Sequence, residues 1–312
     1  MRKRALGKTG LEVSELALGT WGLCGDGYGP VSEADQDAVI ERALAFGIGL
    51  FETADCYAKG AMEKRLGEKL PQSAQIATKI GTDLEATPSR KRFDAEYIKS
   101  SVERSRERLK RESIDIVLLH NPSQKTLERG ETFDALRELC EKKTIKTWGV
   151  SAGSKEAARA AVARDVPVLE LAHNAFHSGE LKTIAADVTS KGIGILARSV
   201  LAYGLLCGMW PATKEFPAGD HRAERWTSDE LRRRVTQLNA LRPSASGGIS
   251  SMRAVALRYV LCNELVSSAV LGPRRGQQLD QLVREAGKEP PYLPKENLAA
   301  LERRLMNVGI KS

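Results

Sequence analysis

The sequence has no apolar run near the roughly 18–20 residues that a bilayer-spanning helix needs, which argues against an integral helical membrane protein. Its start, Met-Arg-Lys-Arg-Ala-Leu-Gly-Lys, is basic and leads into no apolar stretch of the kind a secretory signal carries. Cysteine is sparse. Cys24, Cys56, Cys140, Cys207 and Cys262 make an odd set with no C-x-x-C spacing, so no disulfide framework is expected and reduced thiols in a cytoplasm fit best. No segment is polar enough to read as disordered, and none reads as a linker. The first candidate β–α turn also lacks the G-x-G-x-x-G of an open dinucleotide-binding sheet, although Gly25, Gly27 and Gly29 follow it.

What is present suits one large domain spanning 1–312, since 42% hydrophobic content supports a sizeable core. The formal charge of +8 raises the question of nucleic acid. The basic residues are, however, mixed with acids along helix-like stretches, as in Lys99 to Lys110 (KSSVERSRERLK), and the one dense run, Arg232-Arg233-Arg234, lies on a helix candidate too. Solvated helix faces and an anionic cofactor account for the excess, so neither a nucleic-acid nor a membrane partner is expected.

Apolar runs of strand length alternate with longer runs of helical period. Strands are expected at Leu16–Leu18, Leu50–Ala54, Gln75–Ile80, Ile114–His120, Thr147–Ser151, Val168–His173, Gly194–Ser199 and Val266–Leu271. Helices are expected between them, near Glu33–Phe46, Met62–Leu70, Ala95–Lys110, Thr132–Lys142, Lys155–Arg164, Glu180–Ser190, Ser250–Cys262 and Gln277–Glu285. Parallel strands need such crossovers, and continuous Val/Ile/Leu runs imply burial on both faces. About eight units in a chain of this length point to an α/β fold, a (β/α)8 TIM barrel, with an open doubly wound sheet as the alternative. Three additions interrupt the repeat. Leu6 to Val13 reads as an N-terminal β-hairpin that could plug the barrel floor, with Lys8-Thr9-Gly10 at its turn. A long loop insertion after strand 7, about Ala202 to Gly248, contains a helix near Ser228–Leu241. A C-terminal helix near Lys295–Met306 follows the Pro-Pro-Tyr-Leu-Pro break.

Four polar residues, Glu52, Tyr57, Lys79 and His120, fall at or just after strand ends, where parallel barrels collect catalytic groups. A carboxylate, a phenol, an ammonium and an imidazole gathered there could transfer protons. With these positions in view, the chain resembles the aldo-keto reductases in LGKTGLEVSELALGTWG, FETADCYAKGAMEKRLGEKL, IATKI, IDIVLLHNP, WGVSAG, ARSVLAYGLLCG, FPAGDHR and AVLGPRR. Each motif alone is weak, but their order and spacing together are specific.

The resemblance implies an NADPH-dependent carbonyl reductase. Tyr57 becomes the general acid, with Lys79 lowering the phenol's pKa, His120 orienting the carbonyl, and Glu52, where the family usually has aspartate, pairing with Lys79. It also implies cofactor contacts from Gly19, Thr20, Trp21, Ser151, Glu170, Arg198, Ser199, Leu201, Gly204, Gly272, Arg274 and Gln278. Arg274, with Arg275 beside it, suits an adenosine 2′-phosphate at a helix N-terminus. Departures from the pattern are Ala152 for asparagine, Glu170 for glutamine, Arg198 for a planar residue that stacks on the nicotinamide, and Gln281 and Leu282 for glutamate and asparagine. Glu170 and Arg198, on neighbouring strands, are expected to pair as a charged floor that favours the reduced cofactor.

Trp21, Tyr28, His120 and Trp226 are expected to bind substrate, with Phe216, Asp220, His221 and Arg222 in a lid. Aromatic walls suit an apolar or aromatic aldehyde. No metal is expected. His173 and His177 have H-x3-H spacing but straddle a strand and its turn, and Cys56 reads as a small apolar filler. The alternative function is an NADP(H)-binding regulatory or redox-sensing protein with little turnover.

Overall fold

The computed structural model describes residues 1–310. Eight parallel strands, Leu16–Gly19, Leu50–Ala54, Gln75–Ile80, Ile114–His120, Ile145–Ser151, Val168–Ala172, Gly194–Arg198 and Val266–Leu271, each pair with their neighbours in sequence. The eighth returns to the first, closing the barrel through Ala269↔Leu16, Val270↔Ala17 and Leu271↔Leu18. The closed ring settles the choice against an open sheet, and every expected strand and helix is present within a few residues.

Strand alternation divides the apolar core in two. Leu16, Leu18, Phe51, Ile76, Ile80, Val117, Leu119, Val150, Leu169 and Ile195 point outward into the layer shared with the helices. Ala17, Leu50, Ala77, Ile116, Leu118, Val168, Leu196 and Val270 point into the barrel, where they pack with Leu6 and Val13 of the N-terminal hairpin. Stepping two residues onward from these interior positions reaches Gly19, Glu52, Lys79, His120, Glu170, Arg198 and Gly272. The polar site is therefore the next inward layer above an apolar plug.

The hairpin pairs Lys3–Ala5 with Glu12–Ser14, so its strands flank the stretch expected for it, and Leu6 to Leu11 form the connecting loop. The Leu6 N–H donates to the Leu11 carbonyl at 2.8 Å. A β-carbon at Gly7 would lie 2.3 Å from the Gly192 carbonyl oxygen, so only glycine permits this seating against the barrel floor. Leu6 is fully buried. Leu6→Ala is predicted to cost about 2–5 kcal/mol of stability, measurable by denaturant unfolding.

The helices begin at side-chain caps the sequence supplies. Ser32, Asp94, Ser154 and Ser251 each accept a backbone N–H from the first turn, and Thr227 and Glu230 form a reciprocal capping box. Two small elements were not anticipated, a helix at Gln124–Arg129 capped by Ser123 and a hairpin pairing Thr82–Asp83 with Arg90–Lys91. Both sit in loops too short to show a period. The insertion carries the turn Ala202–Cys207 and the helix Ser228–Leu241, and Gln237 Nε2 on that helix donates to the Val308 carbonyl, just past the C-terminal helix Lys295–Asn307.

Candidate active site

The second, third and fourth strands bring Glu52, Lys79 and His120 to one end of the barrel, and Tyr57 lies on the turn leaving the second. That turn, Tyr57–Gly60, places Ala58 and Lys59 at φ of +47° and +53°, a conformation non-glycine residues seldom adopt. One carboxylate holds it, and a second ties the residues just before it to the next loop. Asp26 accepts the Ala58 N–H at 2.7 Å, and Asp55 accepts those of Gly81 at 3.0 Å and Thr82 at 3.4 Å. Asp26 and Asp55 are positioning residues that the sequence reading missed. Asp55 was visible as the acid two residues before Tyr57, but its partners lie on another loop.

Lys79 and Glu52 form an ion pair, both almost wholly buried. The Lys79 ammonium lies 4.8 Å from the centre of the Tyr57 ring, and the Tyr57 and His120 rings are 6.1 Å apart, nearly perpendicular. The expected four thus converge.

Their protonation differs from expectation in one respect. Burial pushes the Tyr57 phenol well above its ordinary pKa, and the Glu170 carboxylate pushes it further. In the ligand-free protein Tyr57 is a firmly held proton donor rather than an acidified one. Burial lowers Lys79 to about 8, against the opposing pull of Glu170, and burial with the nearby Lys79, Lys91 and Arg198 charges holds His120 well below 6.5. His120 is therefore a neutral imidazole at physiological pH. Its Nδ1 is 3.6 Å from Cys56 Sγ, so Cys56 is a polar neighbour of the site and not merely filler.

The expected pairing of Glu170 with Arg198 does not form. Register places Glu170 beside Leu196 and Arg198 beside Ala172, the same two-residue offset at which Glu52 and Lys79 meet, so the side-chain directions and not the register keep this pair apart. Glu170 is fully buried and accepts a hydrogen bond from the Ser151 hydroxyl, while its Oε1 has no partner. Arg198 reaches away, donating to the Ala152 carbonyl at 2.7 Å and the Ser199 hydroxyl at 3.3 Å.

Arg274 is likewise engaged elsewhere. Its guanidinium donates to the carbonyls of Gly22 (3.2 Å), Gly29 (2.8 Å) and Pro30 (3.0 Å), and its N–H to Gln278 Oε1. It ties the loop carrying Trp21 and Tyr28 to the helix Gly276–Ala286. Arg275, the exposed N-cap of that helix, has no such ties. Beside them Gly272 is open, with no atom within 4 Å of where its β-carbon would be. Thr20 is buried below the mouth, Leu201 opens the turn Ala202–Cys207, and Gly204 sits in that turn at φ +99°.

The expected wall residues meet around two rings. Trp21 and Tyr28 lie 4.5 and 4.7 Å from His221, and Tyr203 lies 5.3 Å from His221 and 6.2 Å from Trp226. Tyr203 is the member the sequence reading passed over, although it stands inside ARSVLAYGLLCG. Asp220 grips the Arg222 guanidinium, which stacks 4.8 Å from both Tyr28 and Phe216, and the His221 N–H donates to the Gly27 carbonyl at 2.9 Å. The insertion is thereby fastened across the mouth. His173 and His177 do not join any cluster able to hold a metal among the described residues.

A (β/α)8 barrel with a buried Tyr–Lys–carboxylate–His set at one strand end defines a class of carbonyl oxidoreductases. The match to the Aldo/keto reductase family over residues 15–303 agrees, and the chain belongs to that family. It is 31% identical to an L-galactose dehydrogenase of Arabidopsis thaliana, covering 90% of this chain and 86% of that one. It is 29% identical to a pyridoxal 4-dehydrogenase of Microbacterium luteolum, over 90% and 92%. Among solved structures, a glycerol dehydrogenase from Gluconobacter oxydans superposes with a TM-score of 0.85 at 26% identity, covering 99% of this chain and 97% of the other. An aldo-keto reductase from Bacillus halodurans in its holo form shares the fold, with a TM-score of 0.81 at 22% identity and coverage of 97% and 96%. The protein is an oxidoreductase of this family, and no helix among the described residues is long and apolar enough to cross a membrane.

Proposed function

We propose that the protein catalyses NADPH-dependent reduction of an aldehyde or ketone to an alcohol, and the reverse oxidation when the alcohol is in excess. The carrying observation is the buried Tyr57 phenol, kept protonated by its surroundings and set against the Lys79–Glu52 ion pair. A nicotinamide cofactor supplies the hydride. Its fit is supported by the orphaned, buried Glu170 Oε1 beside Ser151, an acceptor for a carboxamide N–H, and by the open Gly272 next to the exposed Arg275.

Tyr57 delivers its proton to the carbonyl oxygen as charge develops there, and Lys79 stabilises the phenolate that remains. Glu52 keeps Lys79 charged and in place. His120, neutral, donates one hydrogen bond to the same oxygen and fixes the carbonyl's orientation without competing as an acid. Trp21, Tyr28 and Trp226 exclude water and form the aromatic wall. The names of the relatives point to small hydroxylated or aldehyde-bearing molecules, so sugars, polyols and pyridine aldehydes belong beside aromatic aldehydes in a substrate panel.

The exposed Arg275 would hold the 2′-phosphate of the cofactor, with Arg274 beside it. Arg275→Ala is predicted to weaken NADPH binding about 10- to 100-fold and leave NADH binding nearly unchanged, read by fluorescence titration. The function is tested by following reduced-nicotinamide absorbance across that panel. Tight NADPH binding with no consumption by any carbonyl would favour a regulatory, cofactor-holding protein instead.

A further inference from the structure

Next to Tyr57 and Lys79 lies a second cluster, which shares only His120 with the reaction. Asp55, Cys56 and His120 each place one potential ligand atom within 4.8 Å of the others. The Cys56 Sγ to His120 Nδ1 distance is 3.6 Å. For tetrahedral zinc, with Zn–S near 2.3 Å and Zn–N near 2.0–2.1 Å, the separation of those two ligands is also about 3.6 Å. The third ligand is available as well. Asp55 Oδ2 is committed to the N–H groups of Gly81 and Thr82 and the Ser101 hydroxyl, but its Oδ1 is buried with no partner, on a residue only 4% exposed.

We propose that Asp55, Cys56 and His120 form a zinc-binding site, with one coordination position left open, and that its occupation suppresses turnover. Binding replaces the thiol proton by a zinc–sulfur bond; the proton leaves to solvent with one positive charge and the ion brings two. Closing the carboxylate edge takes a movement of about 1 Å or a turn of the Asp55 side chain. Coordination holds the His120 ring at Cys56, and the added positive charge disfavours the Lys79 ammonium that the reaction needs. The metal site stands independently of the reductase reading, and only the suppression of turnover rests on it. Lys79, Lys91 and Arg198, the cations that act on His120, oppose the ion and set its affinity below that of an all-cysteine site. The rival thiol is Cys24, 3.3 Å from Asp26 Oδ2, which joins no three-ligand group among the described residues.

The test is a competition titration of the full chain, stripped with EDTA, against a chromophoric zinc chelator. One zinc per chain is expected. Cys56→Ala or Cys56→Ser should weaken it at least about tenfold, and Cys24→Ala should not. Cobalt should show a thiolate charge-transfer band that the Cys56 variants lack. Zinc should inhibit turnover reversibly in the wild type and not in Cys56→Ala. No binding, or binding unchanged by both Cys56 variants, would overturn the site. Cys56-dependent binding that leaves turnover untouched would overturn the suppression. Should no carbonyl be turned over at all, the titration and the cobalt spectrum still decide the metal site.

Discussion

Tyr57→Phe should lower kcat by roughly 10²–10⁴-fold with cofactor affinity unchanged, because it deletes one proton donor and nothing else. The phenylalanine ring fills the same buried space and keeps its face toward the Lys79 ammonium, 4.8 Å away in the native protein. The fold and the mouth therefore persist. What disappears is the phenolic proton, which burial holds in place at neutral pH. His120 cannot substitute, since its pKa is held well below 6.5 and its imidazole is neutral. Lys79 is paired with Glu52 behind the ring. A loss of less than tenfold, measured in single-turnover reduction, would show that some other group supplies the proton.

The second large effect is on stability as much as on rate. Lys79→Met removes the cation from a pocket that still holds Glu52 and Glu170, 4% and 0% exposed. Breaking a buried ion pair by deleting one partner costs about 3–5 kcal/mol, because the remaining charge stays desolvated. Lys79→Met is thus predicted to unfold at clearly lower denaturant and to lose activity. The double variant Lys79→Met with Glu52→Leu should regain most of the stability, since an apolar pair of similar volume is often neutral, yet none of the activity. Wild-type kcat/KM for reduction should also decline above about pH 8. There Lys79, lowered to about 8 by burial against the pull of its carboxylate neighbours, begins to lose its proton and with it the charge that stabilises the phenolate left on Tyr57. Tyr57 does not set that limb, because its own pKa is raised and it remains protonated throughout the range. A fall in rate that begins only above pH 10 would reverse this assignment.

The barrel was legible because its two sides impose different rules on one strand. Outward positions such as Phe51, Ile76 and Val117 must meet helices, and inward ones such as Ala77 and Leu118 must meet each other, so the runs are apolar at every position. An interruption by Glu52, Lys79 or His120 then marks the layer at which the interior stops being packing. The missed features depend on distances that sequence does not contain. Strand order makes the strands of Glu170 and Arg198 neighbours, but Arg198 turns to the Ala152 carbonyl and the Ser199 hydroxyl while Glu170 takes the Ser151 hydroxyl, choices among partners that strand order does not contain. The engagement of Arg274 by Gly22, Gly29 and Pro30 joins the two ends of the chain's core, some 245 residues apart, and leaves no local trace. The short helix Gln124–Arg129 had a cap in Ser123 but too few residues to show a period.

The central claim is that hydride passes between a nicotinamide and a carbonyl carbon at the strand ends holding Tyr57, Lys79 and His120. It is tested most directly with NADPH carrying deuterium at C4 on one face, mixed with an aldehyde the protein consumes. The label is expected on the carbinol carbon of the product, from one face only, with Tyr57→Phe slowing its arrival by orders of magnitude. Alcohol formed without the label from either face, or label transferred equally well by Tyr57→Phe, would contradict it.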